Sequence, residues 1–150
     1  MERLRVLFLC TGNSARSQIA EGLLRKLSRG RADVFSAGTK PEPEVHPLAA
    51  DVLRTRFHLD TDGLYPKHLN QFLGQKFDYV ITVCDRTAEA CPTFPGDPER
   101  IHWSFEDPAS AQEEEVRRRA FESVANGLAA RMRIWMALPA VHRRLDAAEE

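Results

Sequence analysis

The 150-residue sequence has few cysteines, almost no net charge and no long hydrophobic segment. A formal charge of -1 at pH 7 gives no field strong enough to capture nucleic acid or an anionic membrane. The apolar run near the N-terminus extends only over Val6–Cys10, too short for a signal peptide core or a membrane-spanning helix. We therefore expect a cytoplasmic protein without a nucleic-acid or membrane partner. Because no long apolar patch is evident, we also expect a monomer.

The three cysteines, Cys10, Cys84 and Cys91, are an odd number and cannot all pair within one chain. Thiols are kept reduced in the cytoplasm, where disulfides are commonly catalytic or redox-sensing. A structural disulfide is therefore the weaker explanation. A zinc site is also disfavoured, because no histidine lies at ligand spacing beside Cys84 and Cys91.

Short apolar runs alternate with segments of helical periodicity, without an internal repeat or a linker. The pattern predicts strands at residues 5–9, 33–39, 77–83 and 100–103, and helices at residues 17–27, 47–57 and 113–138. This alternation predicts a single-domain α/β fold with a mostly parallel sheet. Pro139 should end the last helix, so we expect a domain over residues 1–138 and a frayed or loosely docked tail over 139–150.

Residues with reactive or polar side chains follow the predicted strands. Cys10, Ser36, Cys84 and the segment 103–107 each lie at or just past the end of one strand. The carboxyl ends of parallel strands meet at one edge of the sheet, where α/β proteins bind their ligands. The sequence thus predicts a functional site at this edge.

The segment CTGNSARS, residues 10–17, joins the first strand to the first helix, and we call it the anion loop. Successive backbone N–H groups in such a loop can form an anion-binding nest, and the helix N-terminus adds partial positive charge. The predicted substrate-binding residues are Thr11, Gly12, Asn13, Ser14, Ala15, Arg16 and Ser17. The site suits a tetrahedral oxyanion such as phosphate or arsenate.

Two side chains of the anion loop have predicted chemical roles. The planar guanidinium of Arg16 can bind two oxygens of the oxyanion. The same positive surroundings favour the thiolate of Cys10, to which Ser17 can donate a hydrogen bond. A cysteine at a strand end is commonly just a small buried residue, and C-x5-R spacings occur by chance. The strand–loop–helix context favours the anion site.

Four motifs, CTGNSARSQIAEG, FSAGT, VITVCDRTAEACP and WSFEDPA, follow one another along the chain. Together they resemble the thioredoxin-coupled arsenate reductases built on the low-molecular-weight protein tyrosine phosphatase fold, over about residues 4–136. The resemblance implies a four-stranded parallel sheet flanked by helices and the reduction of arsenate to arsenite in arsenic detoxification. It implies that Cys10 is the nucleophile, held over the anion with Arg16. By the same resemblance Asp107 is the general acid, with Glu106 as its nearest rival.

The chain departs from the wider family in two places. Phosphatases of this fold usually carry two tyrosines after the Asp-Pro, whereas Asp107-Pro108 is followed here by alanine and serine, which weakens the case for phosphotyrosine. Some family members bind potassium through residues that match Asn13, Glu21 and Ser36. Their further acidic ligand falls near His68 here, so we expect no tightly bound cofactor and leave potassium open.

The resemblance gives the two remaining cysteines a role in a disulfide relay. If residues 84–91, the relay segment, were helical, the Cα atoms of Cys84 and Cys91 would lie about 10 Å apart, whereas a disulfide needs roughly 7 Å or less. The segment must therefore unwind. In the relay, Cys10 attacks arsenate, Cys84 attacks Cys10 with release of arsenite, and Cys91 attacks Cys84. The resulting Cys84–Cys91 bond is expected at the surface, where thioredoxin, glutaredoxin or a small thiol reduces it.

Two other functions stay open at this point. A low-molecular-weight phosphatase acting on phosphomonoesters would use Cys10, Arg16 and Asp107 in the same way and would ignore Cys84 and Cys91. Weak phosphatase activity can accompany arsenate reduction, since the first step is shared, and phosphate or sulfate should compete with arsenate. A protein that only binds arsenic or senses redox state would leave Arg16 and Asp107 without a role.

Overall fold

The computed structural model describes residues 3–86 and 89–148 and contains one parallel β-sheet. Its strands are β1 (Leu4–Leu9), β2 (Ala32–Ala37), β3 (Tyr79–Thr82) and β4 (Glu99–His102), in the order β2-β1-β3-β4. Its helices are α1 (Arg16–Leu27), α2 (Pro47–Phe57), α3 (Glu114–Met136) and α4 (Pro139–Ala147). The predicted α/β fold with a four-stranded parallel sheet is confirmed, and the predicted elements end within two residues of those observed.

Strand β1 is apolar at nearly every position because it is buried on both faces of the sheet. Leu4, Val6 and Phe8 pack into the larger core with α1, α3 and α4. Leu7 and Leu9 pack into a smaller aromatic core on the opposite face. The continuous apolar run that predicted a central strand therefore reflects two cores that share one strand.

The order of the strands places a crevice beside β1. The chain passes from β1 to β2 on one side of the sheet and then to β3 on the other side of β1. Ligands bind at the carboxyl ends of strands where the order changes direction in this way. Leu9 pairs with Thr82 at this end, so Cys10 and Cys84 follow neighbouring strands.

Helix α4 corrects the prediction of a loose C-terminal tail. Pro139 ends α3, but it also occupies the first turn of α4, a position where its missing N–H costs nothing. Val141 and Leu145 are only 1% exposed and belong to the larger core. Residues 139–147 are thus an integral layer of the fold, and residues 149–150 lie outside the described part of the chain.

Helix α3 buries one apolar face against the core, but not in its first turn. Val116 is exposed, and the buried positions begin at Phe121 and continue to Trp135. None of the helices in the described residues has the length and apolar character needed to cross a membrane.

Candidate active site

The backbone of the anion loop is held through several of its carbonyl groups. Three carbonyls accept hydrogen bonds of 2.9–3.0 Å from the adjoining segment: those of Thr11, Gly12 and Ser14, from the N–H groups of Lys40, Glu42 and His46. Within the described residues, no acceptor lies in hydrogen-bonding geometry to the N–H groups of residues 11–15. These donors precede α1, whose N-terminus adds partial positive charge. The arrangement has the features of an anion-binding nest.

Asn13 fixes the shape of the anion loop and orients the hydroxyl group beside Cys10. Its backbone has a φ of 48°, in the left-handed region, and its side chain is fully buried. Its Oδ1 accepts a hydrogen bond from the N–H of Lys67 at 2.8 Å, which sets the amide orientation. Its Nδ2 therefore donates to the Oγ of Ser17 at 2.7 Å and to the Oγ of Ser36 at 2.9 Å. The hydroxyl of Ser17 is then free to donate to the Sγ of Cys10, 2.8 Å away.

Gly38 of the FSAGT motif lies in contact with the backbone of the anion loop. A Cβ atom at this position would lie 2.3 Å from the carbonyl oxygen of Thr11 and 2.7 Å from that of Cys10. Both distances are far shorter than van der Waals contact. The close approach explains why the motif that follows β2 needs glycine here.

Arg16 forms a bidentate ion pair with Glu89, a residue that the sequence analysis did not single out. Its Nη1 and Nη2 donate to the two carboxylate oxygens of Glu89 at 2.9 and 3.0 Å, and Thr11 Oγ1 donates to the same carboxylate at 3.0 Å. Nη1 also donates to the carbonyl oxygen of Phe105 at 3.0 Å. The carboxylate of Glu89 thus takes up two guanidinium donors that were predicted to bind an oxyanion.

The ion pair between Arg16 and Glu89 is partly buried. Partial burial acts to raise the pKa of Glu89, but the hydrogen bonds from Arg16 and Thr11 and the charge of Arg16 hold that pKa below its ordinary value. The side chain of Arg16 is only 6% exposed. Its Nε is buried and has no hydrogen-bond acceptor among the residues described. One donor of the guanidinium is therefore left for another ligand.

The relay segment is closed by a disulfide between Cys84 and Cys91, whose Cα atoms lie 5.9 Å apart. The described residues of the segment are not helical, as the bond requires. Thr87 and Ala88, where easy local melting was expected, lie outside the described residues. Cys10 is a free, buried thiol.

The expectation of a disulfide at the surface is wrong for one of its two sulfur atoms. Cys84 is 0% exposed, because it continues β3 into the larger core, whereas Cys91 is partly exposed. Cys10 and Cys84 are both buried at the same edge of the sheet. Of the three cysteines, Cys91 is the most exposed residue.

His102 lies beside the disulfide, although no sequence spacing indicated this. A ring nitrogen of His102 and the two sulfur atoms lie within 4.8 Å of one another, because β3 and β4 pair Thr82 with His102. The Nδ1 atom is 2.6 Å from Thr82 Oγ1, and burial, followed by the charge of Arg86, lowers the pKa of the ring. The two sulfurs are bonded to each other, so in this state they are not thiolates available to a metal ion.

Asp107 lines the cavity of about 760 Å³ that the anion loop borders. Its Oδ1 accepts a hydrogen bond from the N–H of Ala109 at 3.0 Å and so caps a short 3-10 helix at Pro108–Ser110. Glu106, the rival candidate, is not among the described residues that line this cavity. The geometry therefore favours Asp107 over Glu106 as a group that can reach a bound anion.

His46, another residue that the sequence analysis missed, also lines this cavity. It caps α2 by accepting a hydrogen bond at Nδ1 from the N–H of Leu48, and its ring packs on Phe121 with centroids 4.6 Å apart. Burial and then the charge of Arg117 lower the pKa of His46, against the opposing charge of Asp107. Because Nδ1 accepts the hydrogen bond from Leu48, the neutral form of the ring carries its proton on Nε2. The only sequence signal was a histidine before a proline at a helix start.

The three residues considered for potassium do lie together, but their oxygens are already engaged. Glu21 is 1% exposed, and its Oε1 accepts from Ser36 Oγ at 2.7 Å and lies 3.6 Å from the Nζ of Lys67. Its Oε2 lies 2.9 Å from Arg25. The Oδ1 of Asn13 accepts the N–H of Lys67. With two cations already beside the carboxylate, these residues do not fit a potassium ion.

Comparison with known proteins agrees with this geometry. The chain is 40% identical over 112 residues to an arsenate reductase of Halalkalibacterium halodurans, with 75% of this chain and 79% of that protein covered. It is 35% identical over 138 residues to an arsenate reductase of Oceanobacillus iheyensis, with 90% and 96% covered. These relatives confirm the resemblance to arsenate reductases drawn from the motifs.

Solved structures of arsenate reductases share the fold. A thioredoxin-dependent arsenate reductase of Corynebacterium glutamicum has a TM-score of 0.64 at 28% identity, with 87% of this chain and 61% of that chain covered. An arsenate reductase in the phosphate binding state has a TM-score of 0.64 at 29% identity, with 85% and 98% covered. Residues 5–147 match the low molecular weight phosphotyrosine protein phosphatase family. The chain therefore belongs to the low molecular weight phosphotyrosine protein phosphatase family.

Proposed function

We propose that this protein is an arsenate reductase that converts arsenate to arsenite through a relay of three thiols. The observation that carries the proposal is the Cys84–Cys91 disulfide at the sheet edge where Cys10 lies free at the base of the anion loop. This state matches the end of the relay, when Cys10 is restored and the oxidised pair awaits reduction. A phosphatase reaction would have no use for the pair.

The anion loop and Arg16 bind the oxyanion. The unpaired N–H groups of the loop and the buried Nε of Arg16 supply donors at the N-terminus of α1. Arsenate and phosphate are both tetrahedral oxyanions, so both fit these donors. The arsenate reductase solved in a phosphate binding state supports this choice of ligand.

The first chemical step joins Cys10 to arsenic. The Cys10 thiolate, which accepts a hydrogen bond from Ser17, attacks the arsenic atom of arsenate, and a bond from arsenic to one oxygen breaks. The leaving oxygen is that of an arsenate hydroxyl group, and Asp107, which lines the cavity, donates the one proton with which it leaves as water. The product is an arsenic–sulfur adduct held by the loop.

The next two steps transfer the oxidation to the relay segment. The Cys84 thiolate attacks the sulfur of Cys10, the arsenic–sulfur bond breaks, and its electron pair leaves with arsenic, which is thereby reduced to arsenite. The Cys91 thiolate then attacks the sulfur of Cys84 and displaces Cys10 as a thiolate. An external dithiol gives two electrons to the Cys84–Cys91 bond and becomes a disulfide itself. Thioredoxin is the proposed donor, as in the Corynebacterium glutamicum relative.

Turnover of arsenate in an NADPH-linked thioredoxin system tests the proposal. Wild type should consume NADPH, while Cys84→Ser and Cys91→Ser should each stall after at most one turnover. The Cys91→Ser protein should accumulate a Cys10–Cys84 disulfide, which peptide mapping identifies. Aryl phosphate hydrolysis by the same three proteins is the control, since that reaction needs Cys10 but neither relay cysteine. Arsenate turnover at wild-type rate in both variants would refute the relay, and hydrolysis without any arsenate turnover would make the protein a phosphatase.

The monomeric state and cytoplasmic location inferred from the sequence stay predictions.

A further inference from the structure

The carboxylate of Glu89 takes up two donors of Arg16 that a bound oxyanion could otherwise use. Its two oxygens accept from Nη1 and Nη2 of Arg16, and one of them also accepts from Thr11 Oγ1. A carboxylate presents two oxygens and one negative charge to a guanidinium in the same planar geometry as one edge of a phosphate or arsenate. Glu89 and an oxyanion therefore compete for the Nη donors of Arg16, and an oxyanion bound beside Glu89 would have only the loop N–H groups and the Nε of Arg16.

The position of Glu89 in the chain couples this contact to the disulfide. Glu89 lies inside the relay segment, two residues before Cys91, and its N–H donates to the carbonyl oxygen of Asp85 at 3.0 Å. The bond between Cys84 and Cys91 holds the two ends of the segment 5.9 Å apart, measured between Cα atoms. The closed segment thus presents Glu89 to Arg16. Breaking the bond removes the covalent constraint that keeps it there.

We propose that Glu89 is an internal competitor of the oxyanion. While the Cys84–Cys91 bond is closed, its carboxylate takes the Arg16 and Thr11 contacts and keeps arsenate or phosphate from binding tightly. Reduction of the bond by the external dithiol releases Glu89 and opens the site. The inference rests on the proposed function, because it assumes that the anion loop is the substrate site.

The coupling between the disulfide and oxyanion binding would keep the oxidised enzyme from starting a reaction that it cannot finish. An enzyme whose relay cysteines are oxidised can form the Cys10–arsenic adduct but has no free Cys84 with which to complete the reduction. Exclusion of arsenate from this form prevents a dead-end adduct. Because linkage is reciprocal, a bound oxyanion must weaken the contact between Glu89 and Arg16 by the same free energy by which that contact weakens oxyanion binding.

Calorimetric titration with inorganic phosphate tests the proposal on the full chain. Wild type and Glu89→Gln are each titrated as the reduced protein and as the oxidised protein, with peptide mapping to verify the Cys84–Cys91 bond. Oxidised wild type should bind phosphate about tenfold more weakly than oxidised Glu89→Gln. This factor is the free energy of about one hydrogen bond to a charged group, which phosphate must replace when it displaces Glu89. The reduced proteins should differ by less than about threefold.

Two further variants separate a direct contact from a general change of charge or fold. Glu44→Gln removes one negative charge from an exposed residue at the same cavity mouth, and Glu44 makes no hydrogen bond to Arg16 in the described structure. It should keep the wild-type ratio of oxidised to reduced affinities. Glu89→Asp keeps the charge on a shorter side chain and should show an intermediate ratio. Near-ultraviolet circular dichroism of each protein verifies the fold.

The possible results distinguish the two proposals. Equal phosphate affinity of oxidised wild type and oxidised Glu89→Gln, with tight binding by the reduced proteins, would overturn the role of Glu89 and leave the anion site intact. An effect of Glu44→Gln as large as that of Glu89→Gln would also overturn it, since net charge would then suffice. Absence of phosphate binding in every form would contradict the anion site and, with it, both proposals.

Discussion

The hydroxyl oxygen of Ser17 lies 2.8 Å from the sulfur of Cys10 and is itself held by Asn13, so the sulfur receives a directed hydrogen bond. Ser17→Ala should lower the rate of Cys10 alkylation by iodoacetamide and the kcat/KM for arsenate by roughly tenfold to a hundredfold, the scale of a hydrogen bond to a charged group. Mass spectrometry of the alkylated oxidised protein reports on Cys10 alone. Ser36→Ala is the matched control, because it removes another Asn13 contact but leaves the one to Cys10. An equal loss in both variants would assign the effect to loop shape.

Asp107 should be required for the first chemical step. Asp107→Asn removes the proton donor while keeping the side-chain oxygen that caps the 3-10 helix, and should lower the single-turnover rate of adduct formation by about 10²–10⁴-fold. Glu106→Gln should stay within a few-fold of wild type, because Glu106 does not line the cavity in the described structure. Rapid-quench measurement of the rate with excess enzyme makes the comparison. The reverse order of effects would make Glu106 the acid.

The ion pair between Glu89 and Arg16 should make the stability of the oxidised protein depend on pH. Because the pKa of Glu89 is lowered in the folded state, the pair stabilises that state above the ordinary value of 4.5, and the contribution is lost as pH falls through the lowered value. Urea unfolding should show oxidised wild type more stable than oxidised Glu89→Gln at pH 7. The difference should vanish in acid. A difference that is the same at both pH values would disagree with this assignment.

The external dithiol should attack Cys91 rather than Cys84. Cys84 is 0% exposed and Cys91 is partly exposed, and thiol–disulfide exchange requires access to the sulfur that is attacked. A thioredoxin variant that lacks its resolving cysteine should therefore trap a mixed disulfide with Cys91. Tryptic mapping by mass spectrometry identifies the linked residue. A mixed disulfide found mainly on Cys84 would mean that the segment opens before the attack.

Gly38 should tolerate no side chain. In Gly38→Ala the new Cβ would overlap the carbonyl oxygens of Cys10 and Thr11, so the free energy of unfolding should fall by roughly 2 kcal/mol or more and phosphate binding should be lost. Gly63→Ala is the matched control, because its Cβ would have no atom within 4 Å. Urea unfolding and phosphate titration provide the two measurements. A stable, phosphate-binding Gly38→Ala protein would show that the loop can move away.

The sequence predicted the features that depend on neighbours along the chain. The apolar run of β1 and the loop from Cys10 to Arg16 are local patterns, and both appear where they were expected. Helix α4 was missed because Pro139 was taken only as the end of one helix, although proline also suits the start of the next.

The contacts around the site that were not predicted depend on proximity in space rather than along the chain. His102 reaches the disulfide only because β3 and β4 pair in one register, and Glu89 reaches Arg16 only because the relay segment closes. Neither register nor closure leaves a local pattern in the sequence. His46 was overlooked for a related reason, since its place in the cavity depends on the hydrogen bond between its N–H and the carbonyl of Ser14.

Cys10 and Cys84 are more deeply buried than Cys91, so the proposed relay runs from the interior towards the surface. Cys84 is 0% exposed, whereas Cys10 is 2% exposed and lines the cavity beside the anion loop. In the proposed relay each exchange carries the oxidised state one sulfur further outward and ends at Cys91, the most exposed of the three cysteines. The electron donor would therefore meet the relay at Cys91, and selectivity for the donor would be decided by the surroundings of that residue.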